Sequence, residues 1–213
     1  MNINKMKILL SELNIHIIEE ETIIYHDISY NSGFPLENHY GIRLNEKQYW
    51  EFCFVQLERR SIPEYKKIKE FNNKEDALIY FFLDRLRDYF LTNEVNLNMD
   101  FEIENWTTSI LLTKLKSCNI PQCYLSYGDL LNKYSIKCFE TDGSWYNAII
   151  GGNKEILVIS PPLEDRNTAF LSTFRRIYLL FLFNKYVKND KVIQVLDRKF
   201  TDVEIAWYLK YEI

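Results

Sequence analysis

Hydrophobic and polar positions alternate along much of the first half of the chain, in runs separated by polar turns. An alternation with a period of two is typical of half-buried β-strands. The pattern predicts strands at 15–25 (interrupted near the glutamates), 39–44, 49–57 and 65–71. A loop at 27–38 and turns at 45–48 and 58–61 separate them. The charged residues of 65–71 favour an edge strand, because charge protects an exposed sheet edge.

The clearest pattern in the second half covers residues 134–160, which read as strand, turn, strand, turn and strand. Asp142-Gly143 predicts a hairpin turn, because a type I′ turn needs positive φ at both central residues. A second turn is predicted at Gly151-Gly152. The near-continuous apolar run 155–160 predicts a central strand covered on both faces. A further strand is predicted at 191–196.

Apolar residues at helical spacing predict several helices. They lie at 4–14, 73–91, 104–117, 165–187 and after Thr201. The helix at 165–187 is apolar on more than one face, which predicts that it is the most buried element. Thr201 and Glu204 form a Thr-x-x-Glu capping box ahead of the terminal helix. The polar segment 92–100 predicts a connector between two halves.

The two halves resemble each other. Leu10 to Ile15 aligns with Leu115 to Ile120, each a helix end that leads into Asn-Ile, and a Tyr-x-Ile strand follows in each half. Tyr40 follows Ile15 by 25 residues and Tyr134 follows Ile120 by 14, so the first half carries an insertion of 11. The predicted class is α+β, with antiparallel meander sheets flanked by helices, because hairpin turns link the strands directly. The alignment favours two tandem α-β-β-β-α units.

The predicted units are residues 1–92 and 101–213, the second including the terminal helix, with packing into one compact domain left as an alternative. The length of 213 residues fits either arrangement, and an apolar share of 47% is ample for a core. A net charge of −4 argues against a general nucleic-acid or anionic-membrane binder, since both need clustered Lys and Arg.

The chain shows no targeting or membrane-spanning pattern. Its N-terminal apolar run is interrupted by Ser11 and Glu12, and no stretch approaches ~18 consecutive apolar residues. These features predict a cytoplasmic protein. The cysteines at 53, 118, 123 and 138 lack Cys-x-x-Cys spacing and are interpreted as buried free thiols rather than a metal site.

Residue types that carry chemistry are sparse. His16, His26 and His39 are the only histidines, and no nucleophile stands in a recognisable motif, so surface or strand histidines are the better interpretation. Gly151-Gly152 precedes a strand rather than a helix, which excludes a phosphate loop. No catalytic, cofactor-binding or metal-binding residue is predicted.

One stretch carries a family resemblance. It reads WEFCFVQLERRSIPEYKKIKEFNNKEDALIYFFLDRL, residues 50–86: a Trp-bearing strand, a Glu-Arg turn, a strand ending in Phe, acidic residues and an Ala-bearing helix. It resembles the small α+β immunity proteins that accompany polymorphic toxins in low-GC Gram-positive bacteria. The third turn position is Arg60, where that family often has Gly, and the second half has Gly151-Gly152-Asn153 in place of the turn.

The resemblance implies a non-enzymatic protein that binds a cognate toxin in the cytoplasm and blocks it sterically, without a cofactor. Many such toxins are basic nucleases, for which an acidic patch gives fast, steered association. The candidate patch for the toxin partner is Glu19, Glu20, Glu21 and Asp27.

Two other classes remain open. The first is a generic interaction module or homo-oligomer that uses the strand at 65–71 for sheet addition. The second is an enzyme whose site is assembled from distant residues, such as His26, His39 and acidic groups. Self-association would favour the first, and a pocket that gathers those side chains would favour the second.

Overall fold

The computed structural model describes residues 1–26, 38–57, 63–99 and 105–210. Its fold is α+β, with one five-stranded and one four-stranded sheet flanked by helices. Internal contacts divide the chain into unit 1, residues 1–86 and 194–197, and unit 2, residues 87–193 and 198–213. The boundary therefore falls inside a helix rather than in the 92–100 segment. Whether 1–92 and 101–213 are separate domains stays a prediction.

Unit 1 is built on an antiparallel sheet. Its elements are α1 (Ile3–Ser11), β1 (Ile17–Glu19), β2 (Ile23–His26), β3 (His39–Leu44), β4 (Trp50–Gln56), β5 (Glu64–Phe71) and most of α2 (Lys74–Phe90). The strand order is β1-β2-β3-β4-β5, and every neighbouring pair is antiparallel. The predicted interruption at the glutamates is the turn between β1 and β2. Strand β5 lies at a sheet edge, as its charges predict. The predicted loop 27–38, except Asn38, and the predicted turn 58–61 lie outside the described residues.

The core of unit 1 lies between this sheet and α2. Ile24, Ile42 and Phe52 stand opposite one another on three neighbouring strands, and all three are fully buried. The ring of Phe52 contacts Tyr80 and Phe81 of α2, with ring centroids 5.0 and 6.3 Å away. The period-two alternation thus gives the sheet the apolar face on which the helix packs.

Unit 2 is built on a mixed sheet. Its elements are α3 (Thr108–Ser117), β6 (Leu125–Ser126), β7 (Ser135–Thr141), β8 (Ser144–Ile150), β9 (Ile156–Ile159), α4 (Arg166–Val187), the first part of α5 (Asp190–Leu196) and α6 (Asp202–Tyr208). Short helical turns lie at Leu91–Val95, Asn96–Asn98 and Gln122–Tyr124. The strand order is β6-β7-β8-β9, with β6 parallel to β7 and the other pairs antiparallel.

Several local predictions for unit 2 are confirmed. Asp142 and Gly143 have φ of 50° and 75°, as the type I′ turn requires. Helix α4 begins after Asp165, whose carboxylate accepts a hydrogen bond from the Thr168 amide at 2.8 Å. Both bonds of the capping box formed by Thr201 and Glu204 are present. The prediction that α4 is the most buried element is wrong, because 10 of its 22 residues are buried whereas 11 of the 17 residues of α2 are.

The prediction that 155–160 is a central strand is wrong. Strand β9 lies at the edge of its sheet, and Ile156 and Ile159 are 45% and 46% exposed. An apolar run is buried on both faces only where other elements pack on both faces of the sheet, and the run itself does not reveal them. Here the pairing ends at β9, and Pro161-Pro162 follow directly.

The strand predicted at 191–196 is also wrong, because this segment is helix α5. The side chain of Asn189 accepts a hydrogen bond from the Lys191 amide at 3.0 Å, which starts the helix. Val192 and Leu196, four residues apart, are buried, while Ile193 is 53% exposed. The buried positions therefore follow a helical period. The β-branched residues of the segment favour a strand, which is why the sequence pattern indicated one.

Two further boundaries differ from the predictions. The segment predicted as a connector at 92–100 continues α2 as a π-helical turn and a 3₁₀ turn over its described residues. Helix α3 begins at Thr108 rather than 104, because Thr107 caps it and accepts from the Ile110 amide at 3.2 Å. Trp106 therefore precedes the helix, although it is almost fully buried.

Both units contain a three-stranded meander followed by a capped helix, and matching residues occupy matching places. In each, a cation at the first helical residue lies over the Trp of the middle strand: Lys74 Nζ is 5.2 Å from the Trp50 ring, and the Arg166 guanidinium is 5.9 Å from the Trp145 ring. A fully buried alanine, Ala77 or Ala169, is the fourth residue of each helix. These matches follow the sequence alignment. A duplication as their origin stays a prediction.

Candidate functional site

The acidic residues singled out in the sequence lie on one hairpin. Glu19 is the last residue of β1, and Glu20 and Glu21 form the turn into β2. The Glu20 amide donates a 2.8 Å hydrogen bond to the Ile23 carbonyl, which closes the turn. Asp27 lies outside the described residues. The three glutamates are called the acidic turn below.

Glu19 is engaged within the protein. Its carboxylate oxygens lie 3.1 Å from Lys7 Nζ on α1 and 3.3 Å from Lys74 Nζ on α2. Partial burial alone would raise the pKa of Glu19, but the hydrogen bonds and charges of the two lysines outweigh it and lower the pKa. Glu19 therefore ties the hairpin to both helices, and its charge is largely balanced.

Glu20 and Glu21 are exposed and form the outward part of the acidic turn. Glu20 accepts a 3.2 Å hydrogen bond from the Tyr25 hydroxyl, which restricts the carboxylate without neutralising it. In the described part of the chain, no salt bridge engages Glu20 or Glu21. Two negative charges on a tethered hairpin suit contact with a basic partner.

Outside the acidic turn, Glu51 on β4 is a buried acidic residue with a structural role. It accepts hydrogen bonds from Arg43 Nε on β3 at 3.1 Å and from the Asn45 side chain in the adjoining turn at 2.8 Å. Burial raises the pKa of Glu51, but these two partners, helped by Lys67, lower it below its usual value overall. Because its side chain is only 8% exposed, Glu51 is not a surface for a partner.

The three histidines lie in or directly before strands β1, β2 and β3 of unit 1. His39 is buried on β3, and its ring centroid lies 4.8 Å from that of Tyr25. His16 and His26 are half-buried. Over residues 1–26, 38–57, 63–99 and 105–210, no three His, Cys, Asp or Glu side chains cluster in a way that could hold a metal ion.

The cysteines are all free thiols, as the sequence predicts, but only Cys53 is fully buried and Cys123 is exposed. Burial raises the pKa of the Cys53 thiol to about 11, and burial also raises the pKa of Cys138. Both thiols are therefore protonated at neutral pH. A thiol in this state is a weak nucleophile.

Gly151-Gly152 does not form an anion site, and the structure explains both glycines. The Gly152 amide donates to the Asp202 carboxylate at 3.2 Å, so this turn binds a protein anion of its own. A Cβ at Gly152 would overlap the phenol of Tyr134, and one at Gly151 would press on Asp202 and Leu157. The turn needs glycine because other parts of unit 2 approach its backbone closely.

A buried polar network in unit 2 was not predicted. The Asn147 amide on β8 lies 2.6 Å from the Thr173 hydroxyl on α4, and both residues are fully buried. With the amide nitrogen donating to Thr173, the amide oxygen accepts from Arg176 at 3.0 Å, and the Thr173 hydroxyl donates to the Ala169 carbonyl at 2.7 Å. The arrangement fixes α4 on the sheet.

An exposed loop between β6 and β7, residues 127–134, was also missed. Tyr127, Leu130 and Tyr134 are 40%, 68% and 39% exposed. We call it the aromatic loop. Its sequence, YGDLLNKY, has no period and carries turn residues, which predict a loop but do not predict that its apolar side chains face outward.

No helix in the described part of the chain has the length and apolar character needed to cross a membrane. Comparison with protein-family models, with curated proteins and with solved structures gives no significant match.

Proposed function

We propose that the chain is an immunity protein, which binds a cognate bacterial toxin in the cytoplasm and blocks it sterically without catalysing a reaction. The observation that carries the proposal is the acidic turn. Glu20 and Glu21 are exposed at the end of a hairpin that Glu19 ties to two helices. The resemblance of residues 50–86 to immunity proteins supplies the class, and the turn supplies a contact surface.

The charge state of the turn suits a basic toxin. Carboxylates near a basic surface raise the association rate through electrostatic steering, by a factor of ~10 to 1,000 at low ionic strength. A hairpin that is already held by ion pairs loses little conformational entropy on binding. Little of the binding free energy is therefore lost in ordering its charged side chains. Both effects favour rapid inhibition, which an immunity protein needs because free toxin harms its host.

The internal roles of several reactive side chains also support a binding protein. Cys53 has a raised pKa, Glu51 accepts hydrogen bonds from Arg43 and Asn45, and the ring of His39 contacts that of Tyr25. All three groups are buried. An enzyme assembled from distant residues ranks behind the binding classes for this reason.

A self-associating module is the second candidate, because β5 lies at the edge of its sheet. However, Lys66 and Lys67 are exposed on this strand, and Ile68 is an extra residue in a β-bulge opposite Phe52 and Cys53. Lysines and bulges at edges protect sheets against strand addition. The immunity function is therefore preferred.

The test is a pull-down of the tagged protein from its native host, with the product of the neighbouring gene co-expressed. The proposal expects a stoichiometric complex with a toxic neighbour, and it expects that co-expression restores growth. A monomer that captures no neighbour and protects no cell would contradict it. Ligand screening by thermal shift would then address a small-molecule site.

A further inference from the structure

We draw no further inference here: the strongest candidate, the exposed apolar patch formed by Ile156 and Ile159 on edge strand β9, carries nothing, because nothing in the structure shows what covers it.

Discussion

Asn14 and Asn119 occupy the same position in two matching helix ends. Their φ angles are 58° and 56°, in the left-handed region. The following isoleucine in each case donates its amide to a leucine carbonyl five residues earlier, Ile15 to Leu10 at 3.0 Å and Ile120 to Leu115 at 2.9 Å. The backbone amide of each asparagine donates to the backbone carbonyl three residues earlier, so both helix ends are Schellman motifs.

This match predicts parallel responses to substitution. Asn14→Ala and Asn119→Ala should each destabilise the protein by about 1 kcal/mol, because alanine pays the steric cost of a left-handed backbone. Asn14→Gly and Asn119→Gly should be neutral or slightly stabilising. Urea unfolding measures the free energy of unfolding of all four variants. Opposite signs at the two asparagines would show that the shared motif does not control local stability.

Glu51 should make stability depend on acid pH. Its pKa is lowered on folding, so it stabilises the protein above about pH 4.3, the ordinary glutamate value, and this contribution disappears as the pH falls through its folded-state pKa. Glu51→Gln should therefore cost about 1 to 3 kcal/mol at pH 7 and progressively less as the solution is acidified. Chemical unfolding from pH 7 to pH 3 follows the difference.

The control for that titration is Glu46→Gln, in the exposed β3–β4 turn of the same sheet. It removes one negative charge without removing the hydrogen bonds to Arg43 and Asn45. A pH-independent cost for Glu51→Gln, or an equal response of the control, would mean that the buried carboxylate does not carry the effect.

Gly152→Ala tests the close approach of Tyr134. The added methyl group overlaps the phenol, and overpacking of this kind costs about 1 to 3 kcal/mol. The same substitution made in a Tyr134→Ala background should cost much less, because the obstructing ring is gone. Thermal unfolding of the four-member cycle gives the coupling between the two sites. If the effects of the two substitutions on stability were additive, the cost of Gly152→Ala would not arise from overlap with the Tyr134 ring.

Reversing charge in the acidic turn should slow toxin binding. Glu21→Lys should lower the association rate with a basic toxin about 10-fold at low ionic strength, and the loss should shrink as salt screens the charges. Glu46→Lys reverses another exposed glutamate, in a different turn of the same sheet. Stopped-flow kinetics compare the two. Equal losses would indicate that net charge, rather than the acidic turn, controls association.

Local signals predicted much of this fold because local chemistry determines the features concerned. The turn at Asp142-Gly143 depends on two backbone angles, and the capping box of Thr201 and Glu204 depends on two side chains within one turn. The charged side chains of β5 predicted its edge position, because charge protects a strand whose outer side is unpaired. None of these features requires knowledge of distant contacts.

The errors have two causes, a feature that distant contacts determine and a local helix start that β-branched residues obscure. Whether β9 is central depends on which strands lie beside it, and its own apolar residues carry no information about its neighbours. The α5 segment contains β-branched residues, yet Asn189 starts a helix there. In the candidate site, the glutamates could be found in the sequence, whereas the pairing of Glu19 with Lys7 and Lys74 joins three separate elements and required the structure.

The discontinuity of unit 1 has a consequence for how the protein is made. Residues 194–197 belong to this unit, although the 107 residues 87–193 of unit 2 separate them from Leu86. A ribosome must therefore synthesise this stretch of unit 2 before unit 1 can be completed. Residues 1–86 emerge first, yet their unit gains its last segment only after residues 194–197 have been made.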